Sequence, residues 1–535
     1  MPEKTAHLDG FARDNLPPRA AWPVMNFDLP ELKFRERLNA AVELLDAMVA
    51  AGLGPRPCIW FGTQCWSYAE LLARANRIAN VLMRECGLKP GNRVLLRAAN
   101  NPMMVACWFA VLKAGGIAVA TMPLLRAREL GYIIAKAKIT LSLCDARLLD
   151  EIKAAGASDV LAFNSDASDS LDAKMQAQSP EFANCDTYAD DVALIAFTSG
   201  TTGPAKGTMH FHRDIMAICD CFPRYVLKPG RDDIFCGSPP LAFTFGLGGL
   251  VTFPMRFGAS TALAEKASPD LLPQIIQDYK ATIAFTAPTA YRVMSETAPR
   301  SAFATLKQSV SAGEHLPLPI FEAWRGFTGI KLIDGLGATE LLHIFITSAG
   351  DAIRPGATGK AIPGYQAKIV DDQGNDLPDG EIGKLAVRGP TGCRYLADPE
   401  RQAKYVQFGW NLTGDAFRRD ADGYFWYQAR ADDMIRSAGD NISGPEVENV
   451  LLEHAKIREC AVVGAPDAER GMIVKAFVVL RDKADATPAT VKALQDFVKA
   501  EIAPYKYPRA IEFVDALPRT ETGKVQRFKL RKSEA

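Results

Sequence analysis

Two periodicities alternate along the first two thirds of this chain. Apolar residues recur at helical spacing over residues 68–85 and around 101–114, so that positions three and four apart share one face. Short β-rich runs at 93–96, 117–120 and 140–144 lie between and after them and read as strands. Strand–helix–strand alternation of this kind predicts an α/β fold with mostly parallel sheets. It returns at 233–236, 259–263 and 282–285, while the polar, acidic stretch 164–190 predicts a surface excursion.

The texture changes near residue 365. Residues 366–370 and 383–387 read as strands joined by a tight turn at DDQGND, and a short polar joint, Ala431-Asp432-Asp433, follows. Beyond it, strands at 459–463, 475–480 and 511–513 alternate with amphipathic helices at 445–453 and 488–502. That is an α+β module of about a hundred residues, close to the common domain size. A chain of 535 residues exceeds one ordinary core. The expected organisation is a large multi-subdomain N-terminal body of mostly parallel sheets (1–431), a hinge at Asp432, and a small mobile α+β C-terminal domain (432–535).

Charge and composition narrow the function. Basic and acidic residues number 62 each, which argues against a nucleic-acid or polybasic membrane surface. The eleven cysteines include no C-x-x-C, and Cys219 and Cys221 are the one close pair, which favours reduced thiols over disulfides or zinc. The N-terminus has acids and no apolar core, so no signal peptide is expected, and a cytoplasmic location is. The uncharged run 234–255 is long enough to span a bilayer, but Pro239, Pro240, Pro254 and four glycines break it. It reads as buried strand and loop, the wall of a pocket.

The chemistry begins at residues 198–207, TSGTTGPAKG, where a buried strand opens into a loop of three glycines and five hydroxyl or lysine donors. Glycines let backbone N–H groups approach phosphate oxygens, hydroxyls add donors, and Lys206 adds a cation. The spacing differs from G-x-x-x-x-G-K-[ST], so a different phosphate chemistry is indicated. GLGATE (335–340), KLAVRGP (384–390), TGD (413–415), ARADDMIRSAGDNISGPEVE (429–448) and PRTETGK (518–524) follow in order. Together they resemble the acyl-adenylate-forming enzymes, which include acyl-CoA synthetases, luciferases and peptide-synthetase adenylation domains. DGLGATELLHIF (334–345) is most similar to the benzoate and 2-aminobenzoate CoA ligases. Ala205, Leu336 and Leu412 depart from the usual proline, adenine-stacking tyrosine and arginine, and Leu336 puts ATP affinity in doubt.

The resemblance implies a two-stage reaction with ATP, Mg2+ and coenzyme A. A carboxylate attacks the α-phosphorus of ATP to give acyl-AMP and pyrophosphate, and the CoA thiol then expels AMP. Thr198, Ser199, Gly200, Thr201, Thr202, Gly203 and Lys206 would cradle the phosphates. Glu340 would help hold Mg2+ and Thr339 would contact the α-phosphate, while Gly313 and Glu314 in the loop 311–314 would line adenine and Asp334, Gly335 and Leu336 would join the ATP/AMP site. Asp415 would take the ribose hydroxyls with Arg430 in support. Lys524 would bridge the carboxylate and α-phosphate, and rotation at Asp432 would then withdraw it and bring Gly439 to the pantetheine path.

Thr244, Phe245, Gly337, His343 and Ile344 would enclose the acid, with Phe245 and Ile344 against a flat ring and Gly337 leaving room. His343 is the one member expected to titrate near neutrality, as a partner for an ortho substituent or as pocket wall. His210 and His212 alternate as a strand metal pair would, but no third ligand is visible, so a structural role is favoured. The expected partner is a small aromatic carboxylic acid, with no nucleic acid and no membrane insertion; a homo-oligomer stays open. Rival readings are a short- or medium-chain acyl-CoA synthetase, a luciferase-like oxygenase, a carrier-loading adenylation domain and a noncatalytic acyl- or nucleotide-binding protein. Retention of Lys524, Glu340 and Asp415 argues against the last.

Overall fold

The computed structural model describes residues 4–198, 205–430, 433–437, 440–467, 471–519 and 524–532. Its first sheet has six strands in the order Val160–Phe163, Leu141–Asp145, Arg93–Arg97, Ile117–Thr121, Val192–Phe197 and Gly207–Phe211. All neighbours run parallel except the last pair. Two helices show how sequence sets this layer. Ser67 and Glu70 form a reciprocal capping box at the start of Tyr68–Arg84, satisfying donors the helix leaves open. Pro102–Lys113 is buried at every position, as an apolar helix in the core of a large protein must be.

A nine-stranded sheet lies beside it. Its parallel centre runs Leu332–Gly337, Gln308–Ala312, Ile283–Thr286, Ile234–Gly237, Ser260–Ala262 and Pro57–Phe61, with antiparallel strands at both edges. An antiparallel sheet built on Gln366–Val370, Ile382–Arg388, Trp410–Arg419 and Phe425–Arg430 completes the body. The C-terminal unit packs Gly444–Glu453 and Pro488–Glu501 with the strands Ile457–Asp467, Gly471–Leu480 and Ala510–Phe513 around its own apolar core.

One expectation needs correction. Only the start of 234–255 is strand. Thr244–Leu247, Gly248–Thr252 and Phe253–Arg256 follow one another as buried helical turns. Gly248 and Gly249 fit there because a Cβ on either would collide with the rings of His343 and Phe285. The surface excursion 164–190 holds a helix, Leu171–Gln176, and is tied down where Asn76 and Asn80 donate to carbonyls of Pro180, Ser179 and Glu181. No helix among the described residues is long and apolar enough to cross a membrane.

Candidate active site

The phosphate loop is pinned where its described ends meet. The Thr198 amide donates to the Lys206 carbonyl at 2.9 Å, and the Lys206 amide to the Thr198 hydroxyl at 3.4 Å. Ser199, Gly200, Thr201, Thr202 and Gly203 lie outside the described residues. The Lys206 ammonium sits 5.5 Å from the centre of the Tyr395 ring, and the Tyr395 hydroxyl donates to Glu340 Oε1 at 2.5 Å. Burial and then the neighbouring Glu340 push the Tyr395 phenol up, so it stays a donor. Thr339 and Glu340 occupy a single 3-10 turn, Thr339–Leu341, just beyond the strand Leu332–Gly337. Glu340 is 8% exposed.

The residues expected on the nucleotide side lie at the C-terminal ends of two parallel strands, the usual place for ligands in open α/β sheets. Ser311 pairs with Asp334 and Ala312 with Gly335, so the 313–315 loop and the Asp334–Leu336 backbone emerge side by side. Gly313 has φ +92, which favours glycine, and a Cβ there would stand 3.8 Å from Lys524 Cε. Lys524 therefore lies over this loop. Its amine, open to the site yet ringed by protein, is held below the ordinary lysine range by desolvation, against the pull of Glu314. Burial raises the Glu314 carboxyl in turn, while Arg519, 3.7 Å away, and Lys524 oppose the rise. His315 stacks on Tyr427 at 5.1 Å, and burial lowers it to about 4.

Asp334 is half-buried, and desolvation pushes its carboxyl up to about 8, against hydrogen bonds from Thr358 and the Gly335 amide. Asp415 and Arg430 face each other across paired strands, and their side chains meet at 2.8 Å. That contact raises the arginine further. Asp432 and Gly439 lie outside the described residues.

The acid-pocket residues converge. Thr244 and Phe245 start the helical turns and are half-buried. Gly337 pairs with Ile344, and the Ile344 side chain fills the space a Cβ on Gly335 would take. His343 is ringed by Phe222, Phe245, Phe253 and Phe285, with centroids 4.4–6.5 Å away. This corrects the expectation that His343 titrates near neutrality: burial among these rings lowers it to about 3, so the imidazole is neutral. Its Nε2 makes a long 3.4 Å contact to the Phe245 carbonyl, and Nδ1 has no hydrogen-bond partner among the described residues.

His210 and His212 do not converge on a shared ligand position. His210 ends toward Thr339, its Nε2 2.8 Å from that carbonyl, whereas His212 begins a helix and its Nδ1 accepts from the Ala40 amide at 3.1 Å. Sequence reasoning gave no role to Tyr395, five residues after the end of KLAVRGP, or to Arg519, the second residue of PRTETGK. Neither position has a composition that marks it; only the folded chain brings them to Glu340 and Glu314.

Loops at the ends of parallel strands, the Thr198–Lys206 junction and Lys524 beside Gly313 form the arrangement expected of an adenylate-forming enzyme. Comparison with known proteins agrees: residues 47–395 match the AMP-binding enzyme family and residues 446–524 the AMP-binding enzyme C-terminal domain. The chain belongs to the AMP-binding enzymes, and it is a CoA ligase of that family, whose CoA ligases use ATP, Mg2+ and CoA. It is 32% identical over 512 residues to benzoate–CoA ligase of Thauera aromatica, covering 94% of this chain and 97% of that one. It is 33% identical to the mitochondrial acyl-coenzyme A synthetase ACSM3 of Mus musculus, covering 94% and 92%. The crystal structure of the anthranilate CoA ligase AuaEII with anthranoyl-AMP superposes with a TM-score of 0.89 at 32% identity, covering 95% and 99%.

Proposed function

We propose that this chain joins an aromatic carboxylate of the 2-aminobenzoate or benzoate type to CoA, with ATP converted to AMP and pyrophosphate through an acyl-adenylate. The observation that carries the acid class is the box of Phe222, Phe245, Phe253 and Phe285 around His343. A flat ring suits such walls. With Nε2–H turned to the Phe245 carbonyl, Nδ1 is a buried acceptor in want of a donor. An ortho amino group supplies one, which favours 2-aminobenzoate over benzoate.

The first stage asks the protein to bring anions together and stabilise charge, with no side-chain nucleophile. In this reading Lys524 bridges the acid carboxylate and the α-phosphate, while Lys206 and the 198–203 loop take the charge that develops on pyrophosphate. Thr339 contacts the α-phosphate. Gly313 and Glu314 line adenine, Asp334, Gly335 and Leu336 join the ATP/AMP site, and Asp415 with Arg430 holds the ribose. Glu340 fits Mg2+: Tyr395 engages its Oε1, and its Oε2, with no hydrogen-bond partner among the described residues, could bind a hard cation that takes its other ligands from phosphate and water. The metal supplies charge neutralisation on the phosphates. The body comprises residues 1–431 and the C-terminal domain residues 432–535, with Asp432 the hinge and Gly439 on the pantetheine path.

The test is AMP release with ATP, Mg2+ and CoA against benzoate, 2-aminobenzoate, other substituted benzoates and hexanoate. We expect CoA-dependent turnover led by 2-aminobenzoate, and His343→Ala to shift the ranking among ortho-substituted acids while leaving ATP affinity within about threefold. A single pocket contact is worth about 1–3 kcal/mol of discrimination. Turnover led by hexanoate would discard the aromatic reading.

A further inference from the structure

The Thr339–Leu341 turn cannot hold itself. It is one 3-10 turn, closed by two backbone bonds, and it is followed by Leu342 at φ +72, a left-handed conformation that costs a leucine energy. Three side chains from elsewhere grip its three residues in succession. His210 Nε2 lies 2.8 Å from the Thr339 carbonyl; a carbonyl only accepts, so this nitrogen carries the proton. The Tyr395 hydroxyl donates to the Glu340 carboxylate at 2.5 Å, and the Thr391 hydroxyl to the Leu341 carbonyl at 2.7 Å.

These grips share one anchor. Arg394 and Asp214 form a 2.7 Å ion pair with both side chains fully buried. The Arg394 guanidinium lies 4.1 Å from the Phe211 ring and 4.8 Å from the Trp22 ring. Asp214 also accepts the Phe211 amide and faces His210 Nδ1 at 3.8 Å. The segment that carries Arg394 and Tyr395 is laced to the strand Gly207–Phe211, where Met209 donates to the Arg394 carbonyl and Leu396 to that of Gly207. His210 and Tyr395 thus approach the same turn from adjacent, mutually bonded segments.

We propose that His210 and Tyr395 are positioning residues that clamp the Thr339–Glu340 pair in the geometry needed for Mg·ATP. The inference rests on the reading that Glu340 holds the metal of ATP. A displacement of about 1 Å at a reacting centre costs on the order of a hundredfold in rate. Loosening the clamp should therefore weaken the metal-dependent first stage and spare the thioester stage, which handles neither the metal nor pyrophosphate.

The experiment compares His210→Leu, His210→Gln, Tyr395→Phe and Glu340→Gln. Each is assayed for acyl-AMP formation against Mg2+ concentration, for thioester formation from supplied acyl-AMP and CoA, and for Mg·ATP binding by calorimetry without acid. We expect H210L and Y395F to raise the half-saturating Mg2+ and the Mg·ATP dissociation constant by about tenfold, with the thioester stage within about twofold. H210Q, whose amide restores a donor at the position of Nε2, should recover most of both. If E340Q leaves the Mg2+ dependence unchanged, the underlying reading of Glu340 is wrong. The clamp itself is overturned if E340Q shifts that dependence while H210L and Y395F do not. Equal loss of both stages in H210L, or failure of H210Q to improve on H210L, overturns it as well.

Discussion

The two halves of this site are held by ionic contacts of opposite character. In the body, Arg394 and Asp214 are sealed from water and fix the segments that reach Thr339 and Glu340. Between the body and the C-terminal domain, Arg292 meets Glu459 at 2.8 Å, Glu459 meets Arg519 at 2.9 Å, and Arg519 reaches Glu314 at 3.7 Å. Every member of that second chain keeps 13–26% of its side-chain surface open to water. A sealed ion pair that loses one member leaves an uncompensated charge, at a cost of about 3–5 kcal/mol, whereas a solvated pair contributes about 0–1 kcal/mol. The contrast suits the work proposed for each part. In that proposal the metal and phosphate cradle stays fixed, and the domain that brings Lys524 is attached by contacts that water can replace.

The sharpest test of that contrast removes what the detachable part delivers. Lys524→Ala should lower acyl-AMP formation by at least about 10²–10³-fold, the range seen when a preorganised charge-stabilising group is lost. Thioester formation from supplied acyl-AMP and CoA should stay within about threefold, measured as CoA-dependent release of AMP. Equal losses in both stages would mean that the lysine does not belong to one stage, and the division of labour between fixed and detachable parts would go with it.

The next largest effect lies in the body. Arg394→Met should destabilise it by about 3–5 kcal/mol by leaving Asp214 buried without its cation, read in urea unfolding followed by body tryptophans such as Trp22 and Trp108. Adding Asp214→Asn should recover most of that loss, because removing both charges is far cheaper than removing one. The pH dependence has a definite sign. Burial alone would raise the Asp214 carboxyl, but Arg394 above all outweighs it, with Arg213 in support, and holds it down at about 2. Its contribution is therefore present above the unfolded value near 3.8 and is lost as pH falls through about 2. The double variant should lack that acid-limb loss. If R394M proves as stable as the parent, the buried pair is not the anchor.

Much of this design was legible in the chain, for identifiable reasons. TSGTTGPAKG, GLGATE, TGD and the C-terminal GK are each contiguous in the chain, so the family shows in the order of letters. The alternation of strands and helices that builds the two mostly parallel sheets is equally local. What stayed hidden depends on distant contacts. Tyr395 reaches Glu340 across 55 residues and His210 reaches Thr339 across 129, so neither partnership leaves a local signal. The turns 244–256 read as loop because their glycines and prolines oppose helix formation; burial against His343 and Phe285 overrides that propensity. His343 read as a neutral-pH group because Phe222, Phe253 and Phe285, the rings that shut water out, lie 121, 90 and 58 positions away.

The smallest effect should come from the chain that joins the two domains. Glu459 is the shared acid between Arg292 and Arg519, so Glu459→Gln removes both charge pairs while keeping the side chain's shape. Because all three groups are part-solvated, we expect a loss of about 1 kcal/mol or less in holding the adenylation arrangement, which is about a two- to fivefold fall in acyl-AMP formation at low salt. Salt should shrink the difference, since about 0.5 M NaCl screens the parent's contacts and leaves the variant little to lose. The thioester stage, which in this reading needs the domain to leave, should be unchanged or faster, and the melting of each domain should not move. The measurement is the ratio of the two half-reaction rates at low and high salt. A hundredfold fall in adenylation, insensitive to salt, would reveal a junction as strong as the buried Arg394–Asp214 pair, and the distinction between a fixed cradle and a detachable domain would have to be given up.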